Sequence, residues 1–139
     1  RTLQQAVLEM IRQGVVRSAH DCSDGGLACA LAESALGSED QALGFDVEID
    51  DELAPVAALF GEAQGRVVLS CAPEDLEALL GLAERYGVPA RKIGEVRGVG
   101  DSLSIRLPEA TVNVDASQAT DAYYGAIPGI MDAPTTSGA

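Results

Sequence analysis

Two glycines followed by a run of small and apolar residues, Leu27-Ala28-Cys29-Ala30-Leu31-Ala32-Glu33-Ser34-Ala35-Leu36, constrain this chain more than any other stretch. The run predicts a helix, and small side chains all round it allow burial with close backbone approach. Just upstream, Ala19-His20-Asp21-Cys22-Ser23-Asp24-Gly25-Gly26 gathers the only histidine, two acids and a serine. Ser23 or Asp24 is suited to cap the helix, since a short side-chain oxygen accepts from the first free N–H groups. Those groups attract anions such as phosphate, and an acid ahead of them can hold a divalent cation against the same phosphate. The pattern therefore points to a nucleotide–metal site. Generic capping and a Gly-Gly turn explain most of the same residues, but not why His20 and Asp21 precede the cap.

The rest of the chain supplies one domain of helices and strands. Leu3, Ala6, Val7, Met10 and Ile11 recur at helical spacing, with Gly14 as a stop. Val15 to Ala19 reads as a short apolar link or strand into the loop. Phe45, Val47 and Ile49 alternate with Asp46, Glu48 and Asp50, the period of a strand with one wet face. Asp50 or Asp51 is expected to cap a helix through Leu53, Val56, Ala57 and Phe60. The acids Asp50, Asp51 and Glu52 resemble a metal cluster, but at a helix start they are better read as favourable to its dipole. Arg66 to Cys71 is a continuous apolar run, expected to be a strand covered on both faces. Pro73 opens another helix with Leu76, Leu79, Leu80 and Ala83 inward, ended by Gly87-Val88-Pro89. Arg91–Val96 and Ser102–Leu107 read as a hairpin across Gly98-Val99-Gly100-Asp101. A last helix starts at Asp115 or Ser117 and is broken at Pro128. No internal repeat is visible. The fold class is α/β (α+β): a mixed, partly antiparallel sheet of four or more strands with packed helices, sharing part of the ferredoxin-like order. Residues 1–131 form the domain, and 132–139, small and polar, are expected to be a disordered tail.

Charge and cysteine usage narrow the function classes. Nine basic residues against 22 acidic ones give a net charge of −13. Such a surface repels nucleic acid, anionic membranes and phosphorylated substrates alike, so any nucleotide here needs Mg²⁺ or basic groups from elsewhere. No apolar run approaches the roughly 20 residues of a membrane span, and no signal-peptide pattern opens the chain. Cys22, Cys29 and Cys71 lack metal-ligand spacing and read as reduced thiols of a cytoplasmic protein. A catalytic role for Cys22 is disfavoured. The opening Arg1-Thr2-Leu3 suggests a fragment of a longer protein.

His-Asp-x-Ser-Asp-Gly-Gly-Leu at 20–27, followed by Ala-Leu-Ala-Glu at 30–33, resembles the C-terminal domain of the aminoimidazole ribonucleotide synthetase-related superfamily. Phe60-Gly61-Glu62-Ala63-Gln64-Gly65-Arg66 and Ile93-Gly94-Glu95-Val96 fit the same family, as does the ending Ile127-Pro128-Gly129-Ile130-Met131. Within it the motifs are most similar to the phosphoribosylformylglycinamidine synthases. These are ATP-dependent amidotransferases of purine biosynthesis. The resemblance implies an ATP and Mg²⁺ site in which Asp21 coordinates the metal and Ser23, Gly25 and Gly26 meet the nucleotide. His20 orients the loop, Asp24 is a cap rather than a second ligand, and Arg66 is either a phosphate contact or a surface ion pair. Implied partners are the enzyme's own N-terminal ATP-binding domains, glutaminase and small accessory subunits, and a second copy in a homo-oligomer. Internal duplication in the long form of this enzyme gives one active and one auxiliary nucleotide site. The fragment alone is expected to be inactive. Other superfamily members (aminoimidazole ribonucleotide synthetase, selenophosphate synthetase, thiamine-phosphate kinase) remain open, as does a non-catalytic ferredoxin-like binding module.

Overall fold

In a computed structural model that describes residues 1–51 and 53–131, a two-stranded ribbon divides the interior into two apolar clusters. The ribbon pairs β1 (Ser18–Asp21) antiparallel with β3 (Val67–Ser70). Val68 packs toward the larger cluster and Leu69 toward the smaller, as alternating side chains of one strand must. The unbroken apolar run of β3 is thereby explained: both of its faces are covered.

The smaller cluster is built by α1 (Thr2–Arg12) and α4 (Leu76–Arg85), through Ala6, Met10, Val15, Leu79, Leu82 and Ala83. Leu82 joins the expected inward stripe of α4, Leu80 packs against the cluster while half-buried, and Leu76, also half-buried, falls outside it. α1 stops as its sequence predicts. Gly14 takes φ +73°, its N–H donates to Ile11 O, and the Val15 N–H reaches back to Met10 O. This paired return of N–H groups satisfies the last free carbonyls of the helix.

The larger cluster lies between α2 (Gly26–Ala35), α3 (Pro55–Phe60) and a four-stranded sheet. That sheet runs β4-β2-β5-β6, with β2 (Leu43–Glu48), β4 (Gly94–Val99), β5 (Leu103–Arg106) and β6 (Thr111–Val114). β2 is antiparallel to β4 and parallel to β5, so the sheet is mixed. Phe45 and Val47 of β2, together with Ile49 just beyond it and Leu103 and Ile105 of β5, face the core.

Several expectations need correction. β4 and β5 do not form a hairpin, because β2 lies between them. β2 and β5 carry the buried residues, whereas β4 is exposed along nearly its whole length, so the apolar strand takes the centre and the polar one an edge. The connection rounds the start of β2, where Gly100 N–H donates to Ala42 O and Phe45 N–H to Ser102 O. β6, absent from the sequence reading, joins β5 across a tight turn closed by Leu107 and Ala110. α3 begins only at Pro55, with Ala54 as its N-cap and no acid in its first turn. Asp51 instead accepts from the Leu53 N–H at 3.1 Å, a local side-chain turn. The helix-dipole reading of Asp50 and Asp51 thus fails, and Glu52 lies outside the described residues. The last helix, α5 (Ala116–Met131), runs through Pro128 rather than ending there. The expected tail at 132–139 lies outside the described residues.

Candidate functional site

β1 delivers His20 and Asp21 to the edge of the larger cluster, and the chain then turns through Cys22 to Gly25 into α2. The turn is tied at two points. Cys22 N–H donates to Arg66 O at 2.9 Å, extending the ribbon by one residue, and Gly26 N–H reaches Ser23 O at 3.3 Å. Asp21, Ser23 and Asp24 are all solvent-exposed, whereas Cys22 and Gly26 are buried. The loop therefore alternates between anchors that point inward and polar groups that point out.

Neither Ser23 nor Asp24 caps α2. Its N-cap is Gly25, at φ +74°, and no side chain hydrogen-bonds its first turn. This corrects the expected cap: the two hydroxyl and carboxylate groups stay open to solvent because the glycine, not a capping side chain, turns the chain into the helix. The glycines are also needed for close packing within the domain. A Cβ on Gly25 would overlap the Cys29 thiol. One on Gly26, itself at φ +67°, would lie 2.7 Å from Leu59 O and 2.8–2.9 Å from the Phe60 backbone. Gly26 is thus the point where α2 rests on the end of α3. This also explains the small-residue character of the helix.

His20 is held at both ring nitrogens. Nδ1 lies 2.8 Å from the Asp21 carbonyl oxygen, and Nε2 lies 2.9 Å from Oε2 of Glu33, on α2. Both partners are oxygens, and the two contacts together hold the ring between the ribbon and α2. The sequence quotes Glu33 within the motif but gives no sign of this pairing, which depends on α2 packing against the ribbon. Cys22, two residues on, is 5% exposed. Burial pushes its thiol up, with the Arg66 guanidinium opposing and the Asp21 carboxylate adding to the shift. A buried, neutral thiol is a poor nucleophile. Among the described residues Arg66 makes no ion pair.

The other concentration of charge is on the outer face of the four-stranded sheet, and it neutralises itself. Arg97 reaches Asp46 at 2.7 Å and Glu95 at 3.6 Å, Lys92 meets Glu95 at 2.7 Å, and Arg106 approaches Glu48 at 3.8 Å. Among the described residues, no three His, Cys, Asp or Glu side chains converge as a metal cluster. No helix there is long and apolar enough to cross a membrane.

Comparison with known proteins agrees with this architecture. The chain is 44% identical over 130 residues to the phosphoribosylformylglycinamidine synthase subunit PurL of Chlorobium chlorochromatii, which covers 90% of this chain and 17% of that protein. It is 40% identical over 132 residues to the PurL subunit of Moorella thermoacetica, covering 94% of this chain and again 17% of the relative. The chain thus spans about a sixth of the length of these relatives. Among solved structures, Thermotoga maritima PurL complexed with ATP superposes with a TM-score of 0.73 at 24% identity, over 86% of this chain and 21% of that one. The structure of PurLQS from the same organism gives 0.73 at 23%, over the same shares. Residues 1–105 match the family described as AIR synthase related protein, C-terminal domain. With its fold, its glycine-turned loop and that match in agreement, the chain belongs to the AIR synthase related family, as a C-terminal domain of it.

Proposed function

We propose that this chain is the C-terminal domain of a phosphoribosylformylglycinamidine synthase. The whole enzyme would convert formylglycinamide ribonucleotide, glutamine and ATP into formylglycinamidine ribonucleotide, glutamate, ADP and phosphate. The observation that carries this reading is the 44% identity to a PurL subunit along nine-tenths of the chain. It favours this enzyme over the other superfamily members and over a non-catalytic module.

The residues present fit an ATP–Mg²⁺ group. Asp21 and Ser23 are exposed on one loop, next to a helix start that no side chain caps. A hard carboxylate suits Mg²⁺ and a hydroxyl can donate to a phosphate oxygen. Bound there, the metal would offset the charge of the polyphosphate, which a chain of net charge −13 otherwise repels. Asp21 would supply one ligand. With no three-ligand cluster among the described residues, phosphate, water and another domain would provide the rest. Gly25 would contribute through its backbone N–H, and Gly26, whose own N–H already donates to Ser23 O, by holding the turn against the nucleotide, with both conformations fixed by packing on Cys29 and α3. His20 would orient the loop rather than move protons.

The same reading supplies the partners. The enzyme's N-terminal ATP-binding domains would close the site from the exposed side of the loop. A glutaminase and a small accessory subunit would deliver ammonia, and a second copy of the enzyme would make a homo-oligomer. A cytoplasmic setting accords with three free cysteines. In the complete synthase, Asp21→Asn should weaken Mg²⁺-dependent nucleotide retention at least tenfold, and Ser23→Ala by less. The 139-residue chain by itself should form no amidine. Unchanged nucleotide retention in the Asp21 variant, or ATP-dependent amidine formation by the isolated chain, would overturn the proposal.

A further inference from the structure

The His20 imidazole bridges two elements at the head of the motif loop, and the group at its far end belongs to neither the loop nor the ribbon. Glu33 is on the last turn of α2, thirteen positions after His20 in the chain, and its Oε2 meets Nε2 at 2.9 Å. The ring's other nitrogen lies 2.8 Å from the carbonyl oxygen of Asp21 itself. Three groups in series, carboxylate, imidazole and carbonyl, therefore connect the body of α2 to the backbone of the residue that projects its carboxylate into solvent.

We infer that Glu33 is a positioning residue: through His20 it fixes the peptide of Asp21, and so aims the Asp21 carboxylate and the loop up to Gly25. Two features of the structure support this over a simple stabilising ion pair. Glu33 and His20 are 38% and 32% exposed, and ion pairs this open to water contribute little to global stability. The loop's other ties are a hydrogen bond on either side, from Cys22 N–H to Arg66 O and from Gly26 N–H to Ser23 O. Both hold the loop's ends. Among the described residues it is the His20 ring that reaches the Asp21 carbonyl, between those two ties. The inference rests on the proposed role of Asp21 for its functional meaning, but not for its geometry.

The test uses the 139-residue chain, in which His20 is the sole histidine, so its ring gives one set of imidazole resonances. Glu33→Ala removes the carboxylate from a half-buried helix position that alanine favours, while Glu33→Gln keeps a polar group of the same length beside Nε2. In Glu33→Ala the ring should lose its fixed orientation in nuclear magnetic resonance. Amide exchange at Cys22 and Gly26 should rise about two- to five-fold, the change in opening that an exposed ion pair's contribution converts to. Glu33→Gln should restore most of both, and exchange in α4 should stay unchanged in either variant. Unaltered exchange and ring orientation in Glu33→Ala, or equal loosening in α4, would overturn the inference. Nucleotide retention in the complete synthase keeps the two proposals apart. A loosened loop with normal Mg²⁺-dependent retention would leave the Glu33 inference standing and remove the proposed site, whereas a rigid loop removes the inference whatever nucleotide does.

Discussion

Replacing Gly26 with alanine tests whether the motif loop is seated on α3 as tightly as the geometry requires. Two costs add. The backbone at φ +67° is left-handed, which costs a residue with a Cβ about 1–2 kcal/mol. The new Cβ would also lie 2.7 Å from Leu59 O and 2.8 Å from the Phe60 carbonyl carbon. Both are backbone atoms, which cannot swing aside, so α2 and α3 must separate, at an overpacking cost of about 1–3 kcal/mol. The sum, about 2–5 kcal/mol, is a large share of a reserve that for domains is about 5–15 kcal/mol. For a chain of this length it corresponds to a melting temperature lower by about 8–20 °C, at roughly 4 °C per kcal/mol. Gly14→Ala is the matched control: φ is +73° there, but nothing lies within 4 Å of the added Cβ. It should show the conformational cost alone, about 1–2 kcal/mol. Thermal and urea unfolding of both variants, followed by circular dichroism, separate the two contributions. Equal losses at the two positions would refute the reasoning, because they would mean that α2 does not rest on the end of α3.

Two further outcomes follow from the ionisable groups. Burial raises the Cys22 thiol, so the fold favours its neutral form. Its contribution to stability is whole below the ordinary thiol value of about 8.5 and declines as pH rises beyond it, because the unfolded chain ionises first. Iodoacetamide at pH 8 should accordingly modify Cys29 and Cys71 before Cys22 when the products are mapped by mass, and early loss of Cys22 in the native chain would contradict its placement. Glu95 is held below the usual carboxylate range, first by its hydrogen bond from Lys92 and then by the charges of Lys92 and Arg97. What it adds to stability is present above that range and is lost as pH falls through the lowered value. Lys92→Ala should move its carboxyl titration, followed by carbon resonance, back upward; an unmoved titration would rule out the Lys92 contact in solution.

The parts of this fold that were legible in the sequence were those set by local chemistry. The stop at Gly14, the alternation of Phe45, Val47 and Ile49 and the return at Gly87-Val88 each rest on a few neighbouring residues, and the structure contains all three. Gly98 to Asp101 has the composition of a hairpin turn, and the expected β4–β5 hairpin rests on that alone. The segment does fold tightly, with Gly98 N–H donating to the Asp101 carboxylate at 2.9 Å. What decided the topology was competition for the centre of the sheet, which β2 wins on apolar content and which no window around residue 100 reveals. Thr111-Val112-Asn113-Val114, the segment of β6, is rich in β-branched residues, so its strand character is present in the sequence. The capping of α2 was misassigned for a subtler reason. Ser23 and Asp24 have the right chemistry for a cap, but the close seat of Gly26 on α3 demands a left-handed entry into the helix, and that moves the cap to Gly25. The same substitution of roles leaves both polar side chains exposed. Glu33 was invisible as a partner of His20 because their meeting depends on how α2 crosses the ribbon.

The insertion of β2 between two strands that lie some fifty residues downstream has a consequence for how the molecule comes into being. During synthesis, at about 5–20 residues per second, Phe45 emerges roughly 3–10 seconds before its partners Val96 and Leu103 can reach it. Over that interval a strand that carries core residues has both edges unpaired, and closing either long loop carries an entropic cost before any pairing is gained. The nascent chain is therefore at its most adhesive in mid-translation, and it is relieved of that hazard only when its polar edge strand and β5 arrive to enclose the strand from both sides.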